Sequence, residues 1–155
     1  MKILITGGKG FIGNSIAKKL SMLGHEIRTV SRSPDYRKKE YITAHYQYDL
    51  SKDNLNHQIL KNIDVVFHVA AKAGIEGKYN DYYASNYLAT KRLLDACKSS
   101  SVHNFIYTIL EDKLGNISEK VIAKKFLVEH LTTSKVSDTL KVETGVNESL
   151  LNSVL

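Results

Sequence analysis

Eight consecutive residues near the start of the chain, Thr6-Gly7-Gly8-Lys9-Gly10-Phe11-Ile12-Gly13, are of the types from which a phosphate cradle is made. They follow a β-branched apolar run, Lys2 to Thr6, and open a stretch, Phe11 to Leu23, in which Ile12, Ile16, Leu20 and Leu23 recur at helical spacing. The glycines at 7, 10 and 13 therefore fall between a strand and a helix. There the first serves a tight turn, the second lets the backbone approach a diphosphate, and the third lets helix and strand pack closely. The start of the helix adds unpaired N–H groups and a partial positive charge. A ligand-free tight turn would use the same residues, but the position between strand and helix favours the cradle.

The next chemically informative stretch is Val30-Ser31-Arg32-Ser33, at the end of a second apolar run. A site for NAD usually places a carboxylate there, against the ribose hydroxyls. Here Asp35 comes late, and Arg32, with Arg37 or Lys38 in reserve, suits a 2′-phosphate. The expected cofactor is NADP, with NAD as the alternative, and the contacts fall on Ser31 and Arg32. The basic cluster around Arg32, with Lys39 and Arg28, also admits a plain solvated loop. Nucleic acid is not expected as a partner, because only Tyr36 and Tyr41 interleave with the charge.

These residues must be held by a scaffold, and the remaining pattern supplies one. Strands are expected over Lys2–Thr6, Glu26–Val30, Thr43–Tyr48, Ile63–Val69 and Asn104–Thr108. Helices are expected from Phe11 to Leu23, from Asp49 or Ser51 to Leu60, and from Tyr82 to Lys98. Strand and helix in alternation predict a Rossmann-type α/β fold, a doubly wound parallel sheet with helices on both faces. Beyond residue 110 a helix from Ser118, a short strand over Thr139–Glu143 and an apolar stripe through Val146, Leu150 and Val154 are expected. The chain thus divides into a dinucleotide-binding core, 1–110, and a shortened continuation, 111–155.

Composition removes other classes. The 155 residues are 43% hydrophobic and 25% charged, ordinary for a soluble globular chain. The net charge of +6 belongs to residues 1–110, with 16 Lys+Arg against 9 Asp+Glu, whereas 111–155 hold 6 against 7. One cysteine, Cys97, excludes an intramolecular disulfide framework and a multi-cysteine metal site; it reads as a core residue of a reducing compartment. No metal site, no membrane segment and no signal peptide is expected, and the location is expected to be cytoplasmic. His68 reads as a satisfied core histidine.

The stretch from Thr6 to Gly13 resembles the cofactor loop of extended short-chain dehydrogenases/reductases, the group of NAD-dependent epimerases/dehydratases and 3β-hydroxysteroid-dehydrogenase-like reductases. Tyr48-Asp49-Leu50 is similar to the family's Asp-Leu after the third strand. Asp64-Val65-Val66-Phe67-His68-Val69-Ala70-Ala71 resembles its fourth strand, and Lys72-Ala73-Gly74 looks most like the 3β-hydroxysteroid-dehydrogenase-like branch. Asn86-Tyr87-Leu88-Ala89-Thr90 resembles its Asn-x-x-Gly-Thr, and Phe105-Ile106-Tyr107-Thr108 its fifth strand. The resemblance covers residues 1–108. It implies cofactor contacts from Gly7, Gly8, Gly10, Phe11, Ile12 and Gly13, from Asp49 and Leu50 toward adenine, and from Val69, Ala70 and Ala71.

The same resemblance implies a catalytic Ser or Thr after the fifth strand and a Tyr four residues before a Lys. An ammonium beside a phenol favours the phenolate, so that spacing of one helical turn lowers the acid/base group's pKa. Ser118 to Leu127 resembles the helix that bears the lysine, which places Lys120 in the lysine position. Asn116 stands where the Tyr would be, and an amide does not exchange protons near neutral pH. Thr108 is followed by Ile-Leu-Glu-Asp without the expected serines. Tyr87 and Lys91 share the Tyr-x-x-x-Lys spacing but sit in the segment matching Asn-x-x-Gly-Thr, so they read as core packing and a solvated lysine. The expectation is a dinucleotide-binding relative, truncated before the substrate domain and chemically silent. The alternative is an active oxidoreductase or epimerase on a hydroxy or keto substrate, completed by another chain or a substitute acid/base. The shortened tail leaves surface that oligomerisation could cover.

Overall fold

Ile3, Leu4 and Ile5 are all buried, as a central parallel strand covered on both faces requires. They lie in β1 (Lys2–Thr6), the middle of a six-stranded, all-parallel sheet in the computed structural model, which describes residues 1–33, 39–52, 55, 57–72, 77–107 and 141–144. The other strands are β2 (Glu26–Ser31), β3 (Ala44–Gln47), β4 (Val65–His68), β5 (Asn104–Tyr107) and β6 (Lys141–Thr144), in the order β3-β2-β1-β4-β5-β6. Sequence order runs outward from β1 on one side and resumes from β4 on the other. The chain therefore leaves a crevice between β1 and β4 at the carboxyl ends of the strands, where Thr6 pairs with Val30 on one side and His68 on the other.

Helices cover both faces, as expected. α1 (Phe11–Met22) packs Ile16 and Ala17 on Ile3, Ile5 and Ile27. On the opposite face, α2 (His57–Leu60) and α4 (Ala89–Lys98) bring Ile59, Leu60, Leu93 and Cys97 onto Leu4, Val66 and Phe105. The alternation of Ile3, Leu4 and Ile5 between the two clusters follows from the two-residue period of a strand. A short α3 (Tyr79–Tyr82) and a π-helical segment, Tyr83–Leu88, lead into α4.

Two expectations need correction. Among the described residues, the helix expected from Asp49 or Ser51 to Leu60 is observed over His57–Leu60, and residues 49–52 form a turn instead. Asp49 does not cap a helix; its Oδ1 accepts from the N–H (3.0 Å) and hydroxyl (2.5 Å) of Ser51, and its carbonyl accepts from the Lys52 N–H at 3.0 Å. Such local closure competes with helix formation. The helix expected from Tyr82 begins at Tyr79 and contains the π-helical turn. The sixth strand is found at Lys141–Thr144, beside β5. Asn116, Lys120 and the helices expected from 118 and 146 lie outside the described residues.

Cys97 is buried, and burial pushes its thiol up to about 12. It should resist alkylation in the native chain at pH 8 and react at the rate of a free thiol in denaturant; stopped labelling read by mass checks this, and fast native labelling would contradict the packing.

Candidate functional site

The carboxyl edge of the sheet holds a cleft of about 240 Å³, whose walls are the three loops that leave β1, β2 and β4 together with the turn after β3. Gly7 and Gly10 line it from the glycine loop, Ser31 and Arg32 from the end of β2, Asp49 and Leu50 from the turn after β3, and Ala70, Ala71 and Lys72 from the end of β4. A broader depression of about 520 Å³ lies at the opposite edge, between Lys2, Glu26 and Asp64. Its charges are used internally: the Lys2 N–H donates to Asp64 at 2.7 Å and the Lys2 ammonium lies 3.6 Å from Glu26. Parallel sheets bind ligands at the carboxyl edge, so the smaller cleft is the candidate.

The glycine loop is shaped by backbone contacts. Gly7 has φ +68°, and a Cβ there would come within 2.9 Å of the Ala70 nitrogen, so β4 closes directly on the loop. A Cβ at Gly13 would lie 2.4 Å from the Gly7 carbonyl oxygen, so α1 rests against the loop with no room for a side chain. Helix α1 begins at Gly10 without a side-chain cap and has no acidic residue in its first turn. Its leading N–H groups and positive end are thus left for an anion. Loop and helix together form a cradle that fits a diphosphate. Among the expected contacts, Gly8 and Gly13 are buried beneath the loop, Ile12 packs with the α1 core cluster, and Phe11 is 75% exposed.

A directional chain of hydrogen bonds fixes the cleft floor. The Thr6 hydroxyl oxygen accepts from the N–H groups of Val69 (3.1 Å) and Ala70 (3.0 Å), so its own hydrogen points to His68 Nδ1 at 2.7 Å. His68 Nε2–H then donates to Thr90 Oγ1 at 2.8 Å, and Thr90 donates to the Asn86 carbonyl at 2.5 Å. The imidazole is therefore neutral and in the Nε2–H tautomer. It is fully buried, stacks on Tyr107, and burial lowers its pKa to about 3. His68 is a satisfied core histidine, as expected. Asn86 adds a second tie, its amide accepting from the Lys72 N–H (2.7 Å) and donating to the Lys72 carbonyl (3.0 Å). Tyr87 stacks on Tyr83 and packs against the core, and Lys91 pairs with Asp95 at 2.7 Å, which bears out the structural reading of that pair.

Charge is unevenly placed at the β2 end. Lys9 reaches from the glycine loop to donate to Ser33 Oγ at 2.7 Å, beside exposed Arg32. His45 on β3 lies with Nδ1 2.9 Å from Thr29 Oγ1 and Nε2 3.4 Å from the Ser33 carbonyl. Burial lowers its pKa, the bond to the Ser33 carbonyl opposes this less strongly, and the Lys9 charge adds a still smaller push in the direction of burial. Burial works against the Asp49 carboxylate, but the Ser51 donors and the charges of Arg32 and Lys52 prevail and hold its pKa below the usual value. Sequence reasoning missed Lys9, His45 and the Thr6–Thr90 link. The signal for the last was two threonines at positions where β1 and α4 are otherwise apolar.

No helix among the described residues is long and apolar enough to cross a membrane, and no group of three or more metal-ligating side chains occurs among them.

Comparison with known proteins agrees with this geometry. The chain is 32% identical over 108 residues to a 2-alkyl-3-oxoalkanoate reductase of Stenotrophomonas maltophilia, which covers 70% of this chain and 33% of that one. It is 27% identical over 169 residues to an uncharacterized UDP-glucose epimerase, YtcB, of Bacillus subtilis, with 94% and 54% covered. The chain thus spans between a third and about half of the length of these relatives. Among solved structures, MoeE5 in complex with UDP-glucose and NAD superposes with a TM-score of 0.70 at 26% identity, over 92% of this chain and 52% of that one. The model of the NAD dependent epimerase/dehydratase family matches residues 3–109. That match runs from the first strand past the fifth, through every loop that walls the cleft, and the chain belongs to the NAD dependent epimerase/dehydratase family.

Proposed function

We propose that the chain binds a nicotinamide dinucleotide along the carboxyl edge of its sheet, with NADP preferred, and that it lacks the family's acid/base chemistry. The observation that carries the binding is the uncapped start of α1 seated on the Gly7–Gly13 loop. Gly7 and Gly10 and the first-turn amides of Phe11 and Ile12 would hold the diphosphate, with Gly8 and Gly13 packed beneath them to give the loop its shape. Asp49 and Leu50 would face adenine, and Val69, Ala70 and Ala71 would form the floor beneath the second half. A bound nicotinamide supplies the hydride acceptor or donor that such a chain by itself has none of. NAD in the complex of a relative supports the cofactor class.

The preference for NADP rests on charge. Ser31, Arg32 and the Lys9–Ser33 pair surround the end of β2, where the ribose hydroxyls would lie. A 2′-phosphate would meet two cations there. Arg32→Ala should weaken NADPH by about tenfold and leave NADH nearly unchanged, the effect of losing one charge-assisted hydrogen bond. Fluorescence titration with both cofactors checks this, and tighter NADH than NADPH binding by the native chain would reject the assignment.

The silence rests on Asn116 at the tyrosine position beside Lys120 and on the missing serines after the fifth strand. Binding of cofactor without turnover on a panel of carbonyl and alcohol substrates is the expected result. Turnover that Lys120→Ala abolishes would show that the lysine works with some other acid/base group.

A further inference from the structure

Arg92 on α4 has no place in the cofactor reading so far. It is half-buried, yet among the described residues no carboxylate lies within ion-pair distance of it. Its Nη1 donates instead to two main-chain oxygens, those of Ser51 and, at 3.4 Å, Leu50. Those carbonyls belong to the turn after β3 that lines the cleft through Tyr48, Asp49, Leu50 and Ser51. The turn is closed locally by Asp49 and Ser51, but local closure does not fix its position on the sheet. Among the described residues three attachments do that: the Tyr48 N–H, which donates to the Ser31 carbonyl at 2.9 Å, the Leu50 side chain, buried with Val30 and Ala89, and the Arg92 guanidinium.

Arg92 completes a pattern. From residue 86 to residue 92 one helical stretch sends out three polar side chains, and each holds a different wall of the cleft. Asn86 holds the backbone of Lys72 after β4, Thr90 holds Thr6 of β1 through His68, and Arg92 holds the turn after β3.

We propose that Arg92 is a positioning residue for the adenine end of the dinucleotide site. It sets the 49–52 turn at the height from which Asp49 and Leu50 can meet a base, without touching the ligand. Both bonds leave from Nη1, whose two N–H groups are held in the rigid guanidinium plane, and that fixes their direction more firmly than a rotating ammonium would. The proposal rests on the dinucleotide reading above.

Calorimetric titration of the full chain with 5′-AMP and, separately, with inorganic pyrophosphate tests it. Arg92→Met keeps the apolar stem and removes the donors. It should weaken 5′-AMP by about tenfold or more and leave pyrophosphate, which is held by the glycine loop, unchanged. Arg92→Lys, with one compact donor group, should recover most of the loss and bind 5′-AMP about threefold more weakly than the native chain. Unchanged 5′-AMP affinity in Arg92→Met overturns the proposal. So does a parallel loss of both ligands, which would mark Arg92 as a general stabilising residue. If Arg92→Met does not fold, Arg92→Lys decides: the threefold loss confined to 5′-AMP supports the role, and unchanged affinity overturns it. A native chain that binds neither ligand defeats the dinucleotide reading itself, before any variant is compared.

Discussion

Gly13→Ala should cost about 2–3 kcal/mol of stability and weaken cofactor binding by more than about tenfold, the larger part of both effects coming from displaced backbone. The added methyl carbon would sit 2.4 Å from the Gly7 oxygen, 2.8 Å from the Gly7 carbonyl carbon and 3.1 Å from the Gly8 Cα. All three obstacles are main chain, so no rotamer change relieves them and α1 must move off the loop. That motion takes the leading amides of α1 away from the place proposed for the diphosphate, which is why affinity should fall with stability. Gly24→Ala is the control. Gly24 has φ +82°, but a Cβ there meets nothing within 4 Å. It should cost about 1–2 kcal/mol of backbone strain with no change in affinity. Urea unfolding gives the stabilities and NADPH titration the affinities. A Gly13→Ala variant that binds as tightly as the native chain would show that the start of α1 is not the anion site.

The residues that carry this argument were legible because their function needs particular residue types. A glycine that must touch the backbone of another element leaves its mark in the sequence, and so does a β2 end without a carboxylate. The alternation of strands and helices was legible for a similar reason: Ile3-Leu4-Ile5 and Val65-Val66 are apolar on both faces because both faces are covered. The internal ties were not legible. Lys9 and Ser33 are 24 residues apart, and Thr6 and His68 are 62 apart. Nothing local in either segment announces its partner. The turn at Asp49 was misread because a residue able to cap a helix is equally able to close a turn, and the Ser51 hydroxyl decided between the two. Arg92 carries no local signal either, since the carbonyls it serves lie 41 and 42 positions away.

The other large effect concerns acid. His68 is neutral in the folded chain and its imidazole does not take a proton until about pH 3, because burial disfavours the charged form. Above pH 6.5, histidine is neutral in folded and unfolded chains alike, and pH has no grip on stability through this group. Below 6.5 the unfolded chain gains a proton that the folded one refuses. Stability should then fall with a slope that approaches about 1.4 kcal/mol per pH unit, or by about 2 kcal/mol in all between pH 6.5 and 4.5. His45, also lowered mainly by burial, adds a smaller loss of the same sign. The lowered carboxyls of Asp49 and Asp95 matter only nearer the ordinary aspartate value of 3.8, so the upper window isolates the histidines. His68→Gln supplies an amide oxygen for the Thr6 hydroxyl and an N–H for Thr90, but no titrating group. It should be less stable than the native chain at pH 7 and yet lose far less on going to pH 5. Urea midpoints measured across that range give both slopes, with His45→Gln run beside them to subtract the lesser term. Equal slopes in native chain and His68→Gln would mean that His68 titrates freely, and the bond from the Thr6 hydroxyl to Nδ1 would have to be withdrawn. If the slopes differ as expected, the cofactor affinity of the chain that remains folded should hold level across that range, because the imidazole stays neutral and keeps its bond from the Thr6 hydroxyl. The Thr6 hydroxyl that His68 orients is the one that gathers the Val69 and Ala70 amides under the glycine loop, and the site cannot outlast that bond.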